Sequence, residues 1–161
     1  MPKITPFLWF DSQAEEAANF YTSLFPNSKI ITITRFGGEA ANMAGKPPGS
    51  VMTVVFELDG QTFTALNGGP IFKFTEAISL LVNCESQNEI DFFWDRLSQG
   101  GEKGRCGWLK DKFGLSWQIV PSSLGQLLQS SDPERAKRVS DAIMQMDKLD
   151  VVTLEKAAAG V

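Results

Sequence analysis

The chain repeats itself. A shift of 73 residues lays residues 77–97, AISLLVNCESQNEIDFFWDRL, on residues 4–24, ITPFLWFDSQAEEAANFYTSL, without a gap. Identities are few: Glu16 with Glu89, Phe20 with Phe93 and Leu24 with Leu97. The shared pattern carries further. Each copy has a short apolar run, a polar break and then an amphipathic stretch bearing an aromatic pair, Phe20-Tyr21 or Phe93-Trp94. Ala14, Ala17, Ala18, Tyr21 and Leu24 recur at helical spacing in the first copy, and Ile90, Phe93, Trp94 and Leu97 in the second. Each copy therefore predicts a strand followed by a helix.

Chain breakers follow both helices, Pro26-Asn27 and Gly100-Gly101. In the first half, KIITITR over 29–35 reads as a strand and the Gly-, Ala- and Pro-rich stretch from Gly37 to Gly49 as a loop. VMTVVFEL and QTFTAL then flank Asp59-Gly60, a strong hairpin signal. In the second half, CGWLKD and LSWQIV flank Lys112-Phe113-Gly114, a three-residue hairpin with Gly at the left-handed position. The expected fold class is α+β: two βαβββ modules over 1–121, with halves of about 1–72 and 73–121. A helical extension is expected over 122–161. There Asp132-Pro133 is a good N-cap and N1 pair. Ala136, Val139, Ile143 and Met146 form one apolar stripe, and a last helix runs from Asp150 through Leu154 to the alanines. Such a stripe packs on its parent domain or on a partner subunit.

Hairpin register sorts the side chains, because neighbours along a strand point to opposite faces. Trp108 falls opposite Gln118, Leu109 opposite Trp117 and Lys110 opposite Ser116. One face then holds Cys106, Trp108, Lys110, Ser116 and Gln118, while Leu109, Trp117 and Ile119 turn toward the helices. In the first half Phe56 opposes Phe63 and Val54 opposes Ala65 on the apolar side, with Thr53, Val55, Thr62, Thr64 and Leu66 on the other. One wet face is ordinary for an antiparallel sheet. However, Trp108, Leu66, Leu81 and Cys106 are poor solvent residues, and aromatics mixed with hydroxyls and amides are how small-molecule sites are lined. Thr53, Thr64, Asn67, Ser79, Trp108, Ser116 and Gln118 are the ligand-binding candidates, with Trp108 as the stacking platform. Asn67-Gly68-Gly69-Pro70 ends a strand at the rim. Asp11 is expected to cap the first helix and Cys84 to begin the second, and Lys110, Asp111 and Lys112 read as a solvated turn cluster.

The 161 residues include no histidine. That excludes a Ser-His-Asp triad, a Cys-His pair, an HExxH zinc helix and a His-rich iron site. Acid–base chemistry would fall to Asp, Glu, Lys, Tyr21 or a thiol, and Glu76 and Cys106 are the catalytic candidates. With 19 Asp+Glu against 15 Lys+Arg, the net charge of −4 argues against nucleic acid and anionic membranes as partners. No apolar run approaches the ~20 residues of a spanning helix. Met-Pro-Lys-Ile-Thr leads into a strand pattern without a signal-peptide core, and two cysteines are too few for a disulfide scaffold. A cytoplasmic location is expected.

The stretches AEEAANFYTSLFPNS, ALNGGPIFKFTEAIS and CGWLKDKFGLSWQIVP resemble the PhnB-like family. This family is often labelled 3-demethylubiquinone-9 3-methyltransferase and lies in the glyoxalase/bleomycin-resistance/dioxygenase (vicinal oxygen chelate) superfamily. The resemblance takes in the tail segment DPERAKRVSDAIMQMDKLDVVTLEKA as well. It implies paired modules forming a curved mixed sheet around a cavity, in a homodimer. It also implies where relatives hold a metal: near Ile4, near Ala77, near Thr64 or Leu66, and at the carboxylate of a DPxGHxxE motif. That motif reads DKFGLSWQ here, so the carboxylate position falls on Gln118. None of these residues is His or a carboxylate; Glu76, one residue off register, is the only charged neighbour. No metal and no cofactor are expected. No glycine-rich strand-to-helix turn of the methyltransferase kind accompanies the label. The expected function is binding of a small organic molecule in a metal-free cavity. One alternative is an enzyme, the labelled methyltransferase or a glyoxalase-like lyase or isomerase, using Glu76 or Cys106. A second is a dimeric interaction protein with a vestigial cavity.

Overall fold

Alternation of buried and exposed residues on the strands sets the architecture of both halves. The computed structural model describes residues 2–129 and 131–161 and divides into two units, Met1–Phe74 and Thr75–Val161. Each unit carries one four-stranded mixed sheet.

The first unit runs β1 (Phe7–Phe10), α1 (Ala14–Leu24), β2 (Lys29–Arg35), α2 (Gly38–Ala44), β3 (Val51–Leu58) and β4 (Gln61–Asn67), with sheet order β1-β4-β3-β2. β1 lies parallel to β4, and the other pairings are antiparallel. Asp59 and Gly60 both take positive φ (47° and 82°), the conformation of a type I′ turn, which holds Phe56 opposite Phe63 and Val54 opposite Ala65. On the inner face Val54, Phe56 and Ala65 are fully buried with Ala14, Ala17, Ala18 and Tyr21 of α1. α2 lies inside the stretch read as a loop. Its three alanines, Glu39 and Met43 are good helix formers, and Gly45 ends it at φ 64° in the left-handed C-cap conformation.

The second unit runs β5 (Ser79–Cys84), α3 (Gln87–Ser98), β6 (Glu102–Lys103), β7 (Trp108–Lys110) and β8 (Ser116–Pro121), then α4 (Leu124–Leu128), α5 (Pro133–Ile143) and α6 (Val151–Ala159). Its sheet order, β5-β8-β7-β6, has the same plan, with β5 parallel to β8. The gapless shift of 73 holds for the helix starts, Ala14 and Gln87, but not for the strands. Leu8 and Phe10 point inward, and their counterparts are Val82 and Cys84, one residue later; Leu81, which the shift assigns to Leu8, is half exposed. The connection from β5 to α3 is one residue shorter than that from β1 to α1. A one-residue slip exchanges the faces of a strand.

The slip corrects two expectations. Cys84 ends β5 instead of opening α3, and burial, with Glu89 and Glu85 adding to it, pushes its thiol up to about 12. Ser86 is the cap, its Oγ accepting from Glu89 N at 3.2 Å while Glu89 Oε2 accepts from Glu85 N at 2.9 Å. Asp11 does not cap α1: its carboxylate lies 3.8 Å from Lys46. The α1 start is held instead by Asn67, whose Oδ1 accepts from Ala14 N at 2.8 Å and whose Nδ2 donates to Val51 O at 3.0 Å.

The extension packs on the second unit. Val120, Leu127, Val139, Leu149 and Leu154 form one buried cluster, with Ile143 and Met146 against it. Asp132 caps α5 and Asp150 caps α6. Gln87 Nε2 donates to Leu149 O (3.1 Å), and Gln87 Oε1 accepts from Val151 N (2.8 Å). The apolar stripe of α5 is thus spent on its own unit.

Two stability measurements follow. Asn67→Ala leaves buried backbone groups on α1 and β3 without their partner and should cost about 1–3 kcal/mol in urea unfolding. An unchanged midpoint would refute the capping role. Leu154→Ala should cost about 2–5 kcal/mol, whereas a loss below 1 kcal/mol would mean that the tail is only loosely docked.

Candidate functional site

The geometry of the site begins at a turn. Asp111, 2% exposed, accepts from Phe113 N (2.9 Å) and Leu115 N (3.1 Å) on Oδ1 and from Trp117 Nε1 (2.9 Å) on Oδ2. A solvated position was expected for it. A carboxylate buried in this way requires several donors, and those donors lock the loop. The pairing that results is the expected one: Trp108 with Gln118, Leu109 with Trp117 and Lys110 with Ser116. Leu109, Trp117 and Ile119 are buried against the helix side. The outward face carries Trp108, Lys110, Ser116 and Gln118, and β5 adds Ser79, paired in register with Ser116. Gln118 Nε2 donates to Ser79 Oγ at 2.9 Å.

A cleft of about 240 Å³ opens on this face, lined by Glu76, Glu102, Lys103, Trp108, Lys110 and Ser116 among others. Lys110 forms an ion pair with Glu76 at its edge. The hydrogen bond from Lys110 holds the Glu76 carboxyl below the usual glutamate range, and the same bond raises the Lys110 ammonium. Ser116 is 1% exposed, and its Oγ has no hydrogen-bond partner among the described residues. A buried hydroxyl without a partner is uncommon and calls for an explanation.

Of the seven ligand candidates, Trp108 and Ser116 line this cleft, and Ser79 and Gln118 lie on the same face of the sheet without lining it. Thr53 and Thr64 lie on the outward face of the first unit's sheet, where Thr53 Oγ1 meets Thr34 Oγ1 at 2.5 Å. The amide of Asn67 is taken up at both ends by backbone, as described above, so its role is structural. The glycines that follow it are also explained by packing. A side chain at Gly68 would meet the Trp9 indole at 2.3 Å, and Trp9 Nε1 donates to Gly69 O at 2.9 Å.

Alternation places Cys106 on the face of Trp108, but the structure does not. It and Gly107 both take positive φ (61° and 84°), so β7 begins only at Trp108. Cys106 N donates to Met146 O (2.8 Å), and its Sγ lies 3.7 Å from Met144 Sδ. Glu76 does reach the cleft. With its carboxyl held low, however, it is poorly matched to general acid–base work near neutral pH. Sequence reasoning passed over Lys110, Glu102 and Lys103 as site residues. Register already placed Lys110 on the right face, but the two-residue β6 is too short to show any period.

The residues do not fit a metal. The positions that the resemblance assigns to metal ligands hold Ile4, Ala77, Thr64 or Leu66, and Gln118, whose amide nitrogen is bonded to Ser79. Among the described residues no three His, Cys, Asp or Glu side chains converge. Hydroxyl, amide and hydrocarbon are not a donor set for a divalent cation.

A family model described as 3-demethylubiquinone-9 3-methyltransferase matches residues 2–120, which leaves the tail outside it. The chain is similar to the PhnB protein from Bacillus cereus, at 39% identity over 74% of this chain and 99% of that one, with a TM-score of 0.67. Two more distant structures share the fold alone. One is the protein PA1353 from Pseudomonas aeruginosa, at 18% identity over 75% of this chain and 98% of that one, TM-score 0.60. The other is the fosfomycin resistance protein FosX from Listeria monocytogenes, a mutant complexed with Mn(II) and 1S,2S-dihydroxypropylphosphonic acid. It is 16% identical over 80% of this chain and 100% of that one, TM-score 0.54. No protein of curated function matches the chain.

The ion pair sets a pH signature. Because the folded carboxyl of Glu76 is the lowered one, the pair's contribution is present above the ordinary glutamate range, about 4.3. It is lost as pH falls through the lower folded value. Carbon-detected titration should place Glu76 below ordinary glutamate, and Lys110→Met should return it to that range. A midpoint at or above the ordinary value in the unmodified protein would refute the pairing.

Proposed function

The chain belongs to the 3-demethylubiquinone-9 3-methyltransferase family, the PhnB-like branch of the vicinal oxygen chelate superfamily, and we propose that it holds a small organic molecule, without a metal, on the outward face of β5-β8-β7. The observation that carries this reading is the cleft itself, which joins a partly exposed indole, Trp108, to a buried hydroxyl, Ser116, that nothing in the described chain satisfies. Small-molecule sites combine an apolar wall with a few fixed polar groups in this way. Size limits the ligand. A cavity of about 150 Å³ accepts benzene, and drug-sized ligands need roughly 300 Å³ or more. A cleft of about 240 Å³ suits a single-ring compound. Ser79 and Gln118 lie beside it on the same face and orient one another through their hydrogen bond.

Binding of this kind needs no catalytic base, which accords with the low carboxyl of Glu76 and with Cys106 being turned to the tail. The same reading takes the chain as a paired domain over 1–121 with a helical extension over 122–161, acting in the cytoplasm. Among the described residues no helix is long and apolar enough to cross a membrane. A homodimer belongs to the reading too, supported by the exposed Phe7, Ile71 and Phe72 of the first unit. We keep Thr53 and Thr64 as contacts of the first unit's own outward face.

Protein labelled with 5-fluorotryptophan provides the test. Titration with single-ring aromatics should move the fluorine resonance of Trp108 and raise the melting temperature, with ligand at a hundredfold excess over Kd adding about 2.7 kcal/mol. Trp108→Ala should abolish the stabilisation. Undiminished stabilisation in that variant would place binding elsewhere and sink the proposal.

A further inference from the structure

Resting on the binding face proposed above, the structure points further to the class of ligand: we infer that the cleft takes a planar carboxylate, which displaces Glu76 from Lys110 and accepts the hydroxyl of Ser116. In the sheet order β5-β8-β7, Lys110 stands on β7, Ser116 begins β8 beside it, and Glu76 precedes β5. The Lys110 side chain therefore passes the start of β8 to reach Glu76, and all three residues line one cleft. This explains how a hydroxyl on the outward face comes to be 1% exposed. The ion pair lies across it and offers it no hydrogen bond.

A ligand that reaches Ser116 must part this pair, and charge bookkeeping then selects among ligands. If a carboxylate takes the place of Glu76, Lys110 keeps an anionic partner. Glu102, its register neighbour on β6, sees the same local charge as before. Ser116 gains an acceptor, and Glu76, already more than half exposed, moves into water. A neutral amide would leave Lys110 unpaired, and an amine would add a cation beside it. The displaced pair is cheap to break, since solvent-exposed ion pairs are worth little. A hydroxyl donating to a charged acceptor, by contrast, is among the stronger hydrogen bonds. Trp108 supplies the flat wall for the ligand's ring.

Benzoate, benzamide and benzylamine, which share a ring but differ in charge, test the inference by calorimetry together with the Trp108 fluorine resonance. Benzoate should bind about tenfold or more tightly than benzamide, in line with a hydrogen bond to a charged group. Glu76→Gln removes the pair that a ligand must part, so it should tighten benzoate by about two- to fivefold. Lys110→Met and Ser116→Ala should each weaken benzoate by about tenfold. Ser116→Ala removes only an unsatisfied hydroxyl, so its melting temperature should not fall, which separates lost binding from lost fold. If benzamide or benzylamine moves Trp108 and benzoate binds no better, the carboxylate class is wrong and the binding face stands. Unchanged benzoate affinity in Glu76→Gln overturns the displacement as well. If none of the three compounds moves Trp108, the binding face falls with the inference.

Discussion

The second unit's sheet depends on one buried carboxylate. Asp111 takes two backbone N–H groups of its own turn and the indole N–H of Trp117 across the hairpin. Those three bonds do different work. The two backbone bonds close the loop between β7 and β8, and the indole bond ties that loop to the inner face, where Trp117 is among the largest fully buried side chains. With the turn fixed, register follows, and with register the faces follow: Leu109, Trp117 and Ile119 go in, while Trp108, Lys110, Ser116 and Gln118 stay out. Any shift of one residue at this turn would turn Lys110 and Ser116 to the helix side and the Trp117 indole to the outward face. The cleft, its ion pair and its unsatisfied hydroxyl all inherit their positions from Asp111.

How much of this can be read from sequence depends on how local the controlling interaction is. Both hairpin registers are legible, because Asp59-Gly60 and the glycine of Lys112-Phe113-Gly114 fix turn geometry within a few residues. The helices and the tail's apolar stripe are legible from period alone. The strand equivalence is not: the β5 to α3 connection is shortened by one residue, which no helix pattern detects, and the face of β5 turns over relative to a gapless repeat. The cap on α1 is hidden for another reason. Asp11 has the chemistry and the right neighbourhood, but the oxygen that arrives belongs to Asn67, more than fifty positions away in sequence. Cys106 is misplaced because two successive left-handed residues cut β7 short, and neither Cys nor its neighbours announce that in sequence.

The two units solve the same structural problem with different materials. In the second, Ser86 and Glu89 cap α3 from within the helix start, so the cap forms with the helix itself. In the first, α1 is capped only once β4 has paired with β1 and brought Asn67 alongside. The second unit spends residues elsewhere. Val120, near the end of β8, would be exposed at the close of the repeat, and the tail covers it with Leu127, Val139, Leu149 and Leu154. The family match stops at residue 120, just before α4, the first element of that cover. The tail also bonds the Cys106-Gly107 turn through Met146 O and Asp147 O, which anchors the strand that carries Trp108.

The chemistry of the outward face follows from what replaces imidazole and carboxylate there. A metal site gathers anions and neutral nitrogen donors around a fixed positive charge and needs them convergent. This chain has Gln118 bonded to Ser79, a hydroxyl at Ser116 and, close by, one carboxylate already neutralised by one ammonium. Such a face has no net charge to concentrate and no open coordination site. What it has is a weak, solvent-exposed ion pair lining the same cleft as a buried, unspent donor. The two differ in what exchange costs them: the pair loses little when it parts, because water takes both ends, whereas the hydroxyl gains a full partner that water is kept from providing. An arrangement with that asymmetry favours occupants that restore the pair while serving the hydroxyl, which is a demand on the ligand's charge before it is a demand on its shape.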